Sequence, residues 1–348
     1  MINYINTNIV KVSAHTIGNK SNEGGMHLSK KIIDISDNTL REVLLKFFIK
    51  NFTSPELYSF TFSNDEFELN PIFNYVSKIF DNKNDFHKQT INIAKYLYDC
   101  SNHPNIKSGE FYVSYFDELQ IEDELTDAIG LFKVENKDSF LKLNSDSDEF
   151  KLSYDNGINT EKLDKGCIIF NTDQKNGFKI CIVDKINKGI EAQYWKNIFL
   201  NLKPRENNYH NTKEFLLMAK SFVTGDLLEN FNISRTDQLD LLNRSLDYFK
   251  EAESFNEKEF SSSVFEDKRI IKSFENYRQV FYDKKNLSVV NEFDISDSAV
   301  KKISKNFKSV LKLDNNFHIY IHGDRNLIQS GVEKDGRKFY KIYYDEES

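Results

Sequence analysis

The sequence predicts an α+β fold in two domains, and three observations carry that prediction. A run of strands with period-two alternation and turn residues between them fills roughly 109–184. Segments with apolar residues at helical spacing lie on both sides of it. A polar stretch at 203–212, with Pro204 and Asn207-Asn208, separates the two patterns and reads as a boundary. The expected division is a mixed α+β domain over 1–204, built on an antiparallel meander, and a mainly helical domain over 205–348 that ends in a basic helix and a β-hairpin.

The elements follow in order. Ile9, Val10, Val12 and Ile17 mark a first strand, 18–25 a polar turn, and 26–35 a second strand. Asp37 or Thr39 caps a helix to Lys50, whose stripe is Leu40, Leu44, Phe47 and Phe48. A short strand at 58–62 precedes helices at 71–81 and 85–100. In the next strand Phe111, Val113 and Tyr115 alternate with Tyr112, Ser114 and Phe116, the period of a half-buried strand. An acidic loop with a short apolar step at Leu119 and Ile121 leads to the return strand from Asp127 to Glu135. Strands at 139–143, 149–154, 166–171 and 178–184 complete the meander, with Asn156-Gly157 and Asn176-Gly177 as turn signals. A helix runs from Tyr194 to Leu202 and ends before Pro204. Helices follow at 212–223, at 236–252 with Thr236 as N-cap, at 257–266 and at 269–281. A last helix runs from Ser296 or Asp297 to about Leu311, and strands at 317–321 and 338–344 close the chain.

A chain of 348 residues with 39% hydrophobic content can bury a large core. No apolar run approaches the ~20 residues that a membrane helix needs, and Met1-Ile2-Asn3-Tyr4 opens no signal peptide. Cys100, Cys167 and Cys181 form no CxxC pair and read as reduced cysteines of a cytoplasmic protein. No cofactor or metal is expected. His15 with His27 is one formal metal pair, and His318 with His322 is another. The second pair lies on a strand, where a spacing of four separates the rings by ~13 Å.

The wording of several blocks carries more. Ser101-Asn102-His103-Pro104-Asn105-Ile106-Lys107-Ser108-Gly109-Glu110-Phe111 leads into Asp127-Ala128-Ile129-Gly130-Leu131-Phe132-Lys133. Gly157-Ile158-Asn159 runs into Leu163-Asp164-Lys165-Gly166-Cys167-Ile168-Ile169-Phe170. Tyr194-Trp195 and Leu242-Asn243-Arg244-Ser245 with Tyr248-Phe249-Lys250 come later. Together they span nearly the whole chain, which resembles the bacterial nucleoid-associated protein family of the YejK/NdpA type. The resemblance implies a protein of the bacterial nucleoid that associates with double-stranded DNA, with DNA-processing proteins as further partners and no membrane partner. It supplies no chemical motif.

The net charge of −7 opposes the simplest DNA-binding picture, because duplex affinity rests on neutralising phosphates. Clustered basic residues can still bind, and they gather near the C-terminus. From 296 to 341 ten Lys and Arg face five acids, a local +5 against −12 for the remainder. On the expected last helix Val300, Ile303, Phe307, Val310 and Leu311 form one face. Lys301, Lys305, Lys308 and Lys312 stack on the opposite face, with Lys302 beside them. Arg325, Lys334, Arg337, Lys338 and Lys341 follow, and Lys107 in the Ile106–Glu110 turn is a separate candidate phosphate contact. The plainer alternatives are an amphipathic helix with solvated lysines and a turn in which Gly109 only enters its strand. Tyr112, Tyr115 and Phe116 would stack on bases if exposed, although strand aromatics belong more often to a core.

The expected role is therefore non-enzymatic DNA association without sequence specificity. The alternative is a protein–protein interaction factor recruited to the nucleoid by a DNA-acting partner. A metal-dependent nuclease is a distant third. It rests on Asp127 followed by Glu135-Asn136-Lys137, the acid-then-ExK order that can hold Mg²⁺ and assist a water. No GxxxxGK[ST], HExxH or GxSxG is present.

Overall fold

The computed structural model describes residues 2–146, 149–184, 194–285, 287–307, 310–320 and 327–346. The chain forms two compact units, Met1–Arg205 and Glu206–Ser348.

The first unit is built on a nine-stranded antiparallel sheet. In chain order its elements are β1 (Ile2–Asn3), β2 (Asn8–Ile17), β3 (Met26–Leu28), α1 (Asn38–Ile49), β4 (Tyr58–Phe60), α2 (Pro71–Asp81) and α3 (Phe86–Cys100). Then come β5 (Gly109–Ile121), β6 (Glu124–Val134), β7 (Asp138–Asp146), β8 (Glu149–Gly157), β9 (Lys165–Phe170), β10 (Lys179–Asp184), a π-helical turn at Tyr194–Phe199 and β11 (Leu202–Pro204). The sheet order is β11-β4-β10-β9-β6-β5-β2-β3, with β1 paired to the end of β5. Among the described residues, strands β7 and β8 pair only with each other.

Helix starts follow side-chain chemistry. The Asp37 carboxylate accepts the backbone N–H of Leu40 at 2.9 Å and caps α1. Asn70 caps α2, which opens on Pro71, and its amide donates to the carbonyls of Thr61 and Leu200. Gly177, at φ +83°, turns β9 into β10, and its backbone lies against Phe60, leaving no room for a Cβ.

Both faces of the sheet are covered. Phe111, Val113, Tyr115, Ile129, Leu131, Cys167 and Ile169 point into a core shared with α2, α3 and the π-helical turn. Phe116, Ala128, Phe132, Ile168 and Phe170 point into a second core that includes Phe47, Phe48 and Ile49 of α1. The central strands are thus buried on both sides, whereas their alternation suggests half-burial. Leu119 and Ile121 do not lie in a loop. A bulge between Phe116 and Leu119 lets β5 continue, and both side chains are buried. Asn156-Gly157 is no turn either: Gly157 ends β8 opposite Asp138, under the ring of Phe140. Strand β3 stops at Leu28, far short of Ile35, where the Ser29 hydroxyl donates to the Lys31 carbonyl and bends the chain.

The second unit contains α4 (Asn208–Thr224), α5 (Asp226–Asn230), α6 (Arg235–Glu251), β12 (Ser254–Asn256), α7 (Glu257–Phe265), α8 (Lys268–Lys285), β13 (Glu292–Asp294), α9 (Asp297–Ser304) and the strands β14 (Val310–Leu313), β15 (Phe317–Tyr320), β16 (Ile328–Val332) and β17 (Lys338–Ile342). Its core is rich in phenylalanine: Phe215, Phe222, Phe249, Phe255, Phe260 and Phe274 pack ring on ring. The cap of α6 is Ser234, not Thr236. Ser234 and Asp237 exchange hydrogen bonds in a capping box.

The basic helix is the main correction. Expected to reach about Leu311, it ends at Ser304. Asn306 and Phe307 close it with tight backbone bonds to Ile303 and Ser304. The chain then forms the hairpin β14–β15 around Asp314, which has a positive φ. Among the described residues the C-terminal part therefore holds one short helix and two hairpins, β14–β15 and β16–β17.

Candidate nucleic-acid interface

On α9, Ala299, Val300 and Ile303 are buried, and Phe307 joins them below the helix. Lys301, Lys302 and Lys305 are exposed on the other side. Lys301 and Lys302 occupy the last turn, where the helix dipole favours cations. The Lys302 ammonium lies 5.9 Å from the Tyr209 ring centroid.

Lys312 is exposed, but it projects from β14 opposite His318 and not from a helix. The four-lysine helical face thus reduces to Lys301 and Lys305. Lys308 and Arg325 lie outside the described residues, as does His322. Lys334 is exposed in the β16–β17 connection. Arg337 is exposed there as well, but Asp335 holds its guanidinium at 2.7 Å. Lys338 and Lys341 are exposed on β17, and Lys341 sits 4.8 Å over the Tyr343 ring. A cleft of about 440 Å³ is lined by Arg235, Lys312 and Tyr340 among others. Among the described residues, Lys301, Lys305, Lys312, Lys334 and Lys338 form no ion pair. Lys107 belongs to the first unit, where its ammonium donates to the Asn136 side chain at 2.9 Å. The aromatic candidates do not present bases with a platform: Tyr115 and Phe116 are buried and Tyr112 is half-buried.

The carboxylates of the nuclease alternative are far apart in role and place. Asp127 accepts from the Tyr115 hydroxyl at 2.6 Å and pairs with Lys83. Glu135 follows eight residues later, about 26 Å along an extended chain, and pairs with Lys133. Among the described residues no group of His, Cys, Asp and Glu is arranged to hold a metal.

Sequence reasoning missed a buried ionic cluster at the end of the sheet. Lys133, fully buried, donates to Glu135 at 2.9 Å, to the Lys107 carbonyl at 2.6 Å and to the Tyr194 hydroxyl at 3.0 Å. Lys165, directly across the β6–β9 ladder from Lys133, pairs with Asp184 at 2.9 Å, its ammonium 5.2 Å from the Tyr194 ring centroid. Burial pulls the Lys133 amine below its usual range and pushes the Tyr194 phenol well above its own. The available signal was a lysine at the end of one apolar strand run, Lys133, and at the start of another, Lys165. The cluster is sealed, and its chemistry is structural: it ties β6, β9 and β10 to the π-helical turn, where the Trp195 indole donates to the Gly166 carbonyl.

The family model described as NA37, nucleoid-associated protein YejK, matches residues 13–348. The chain belongs to this family. No curated protein matches it. The match spans both units, so the family pattern is a property of the whole chain and not of the basic segment alone. Two of the blocks that carried the resemblance meet at a buried joint, and another forms a partly exposed ion pair. Tyr194-Trp195 and Lys165-Gly166 meet in the sealed cluster, and Arg244 ties α6 to Glu266.

Proposed function

We propose that this chain binds double-stranded DNA in the bacterial cytoplasm as a non-enzymatic component of the nucleoid, largely without sequence preference. The observation that carries the reading is the run of exposed, mostly unneutralised lysines on α9, β14, the β16–β17 connection and β17, in a member of a nucleoid-associated family. Phosphates are neutralised by such side chains whatever the base sequence. No helix there offers a row of Arg, Asn and Gln for base edges. The net charge of −7 favours a second reading, recruitment by a DNA-acting protein with little direct contact.

Salt dependence separates the two. Direct binding gives a linear fall of log affinity with log salt, with a slope of about −0.9 per phosphate neutralised. Fluorescence anisotropy on unrelated duplexes should give similar affinities and a slope worth several phosphates. Affinity indifferent to salt, or confined to one short sequence, would overturn the proposal. Incubation of the same duplexes with Mg²⁺ or Mn²⁺ should leave them intact.

A further inference from the structure

The hairpin β7–β8 is an arm with one bare apolar face. Its root is firmly held. The Asp164 carboxylate accepts the backbone N–H groups of Glu135 at 2.7 Å and Asn136 at 3.1 Å, and Asp138 accepts from Asn159 at 2.7 Å and from Lys162 at 3.3 Å. Beyond the root the strands pair only with each other, and an isolated two-stranded ribbon is marginal in water. The register places Leu141 opposite Tyr154, Leu143 opposite Leu152 and Ser145 opposite Phe150, all on one face. The other face carries Phe140, its ring against Gly157, together with Asp155, Lys142, Ser153, Asn144 and Lys151. The five large apolar side chains are between 64% and 75% exposed.

We infer that this arm is a homodimer interface, its apolar face closed by the same face of a second copy. The area fits. At about 200 Å² of surface per large apolar side chain, the five expose on the order of 700 Å², more than the largest patch of an ordinary monomer. Two such faces together bury roughly 1,400 Å², the size of a stable specific interface. The shape also fits. Strand β8 presents Phe150, Leu152 and Tyr154, and β7 presents Ser145, Leu143 and Leu141, so the two rings lie on one strand and their smaller neighbours on the other. A two-fold axis parallel to the strands sets each ring over a smaller side chain, Phe150 on the partner's Ser145 and Tyr154 on the partner's Leu141, with Leu152 on the partner's Leu143 between them. Large-on-small layering of this kind fills an interface without voids. Charge points the same way. The shared face is uncharged, so two copies meet without repulsion. The segment 138–157 contains five acids and two lysines, which disfavours nucleic acid or an anionic lipid surface as the cover.

Analytical ultracentrifugation of the full-length protein tests this. The wild type should sediment as a dimer, Leu143→Glu as a monomer with unchanged circular dichroism, and Lys142→Glu, on the opposite face, as a dimer. Leu152→Ser removes apolar area without adding charge and should weaken the dimer at least tenfold. It keeps the test open should Leu143→Glu fail to fold. A monomeric wild type overturns the inference, and amide protection of the arm in that monomer would assign the cover to the chain itself. A dimer unaffected by both Leu143→Glu and Leu152→Ser would also overturn it, since the interface would then lie elsewhere.

Discussion

His15 shows how one buried side chain sets a pH limit. Its Nδ1 accepts the backbone N–H of Ser29 at 3.2 Å, so its proton resides on Nε2, which faces the Thr90 hydroxyl at 3.2 Å. A second proton on Nδ1 would break the bond to Ser29. Burial, with His87 beside it, pulls the imidazole from 6.5 down to about 4. Between those values the unfolded chain binds a proton that the folded chain refuses. The stability is fully present above about pH 6.5 and drains away as the pH falls towards 4, by about 3 kcal/mol for a shift of this size. His15→Gln should flatten the dependence of the unfolding midpoint on pH across that window relative to wild type. Parallel curves for the two proteins would assign the acid sensitivity to other groups.

At the level of elements, local chemistry is legible in the sequence and lateral partners are not. Asp37 and Pro71 mark helix starts that the sequence places correctly, because a cap is a matter of three or four neighbouring residues. The α6 start lies two residues before the expected one because Thr236 and Ser234 are both plausible caps, and only the reciprocal bond to Asp237 decides. Ser234→Ala should therefore lower stability by about 1 kcal/mol in a denaturant titration, and Thr236→Ala should cost less through that mechanism. Equal losses would mean that the capping box contributes little. The basic helix is shorter than expected for a related reason. Val310-Leu311-Lys312-Leu313 fits a helical stripe and a strand equally well, and the pairing with Phe317–Tyr320 chooses the strand. The signal that could have found it is Asp314-Asn315-Asn316, turn chemistry between two short apolar runs.

At the scale of the whole molecule, charge is distributed unevenly along an acidic chain. The described basic residues of 296–341, a segment with a formal charge of +5, are spread over a helix end, two strands and a turn. Replacing Lys301, Lys305, Lys312, Lys338 and Lys341 together by Gln touches only exposed positions, so stability should change little. DNA affinity should drop for every duplex alike, and the salt slope should flatten by up to ~4.5, about 0.9 for each of the five phosphates that are no longer neutralised. Unchanged affinity in the folded variant would move the DNA surface elsewhere, with Lys107 of the first unit the next candidate, or favour recruitment by a partner.

Fold class, the presence of most helices, the strand-rich stretch and the excess of positive charge near the C-terminus are properties of residues close together in the chain, and the sequence by itself determined them. Pairing, burial and exposure depend on residues far apart, and only the tertiary structure decided those. Lys133 and Lys165 look like surface lysines until Glu135, Asp184 and Tyr194 enclose them. Leu143 and Leu152 look like core residues until the hairpin leaves the sheet and carries them into solvent. The physical reason is the same in both cases: periodicity says which side chains share a face, but not whether another element covers it.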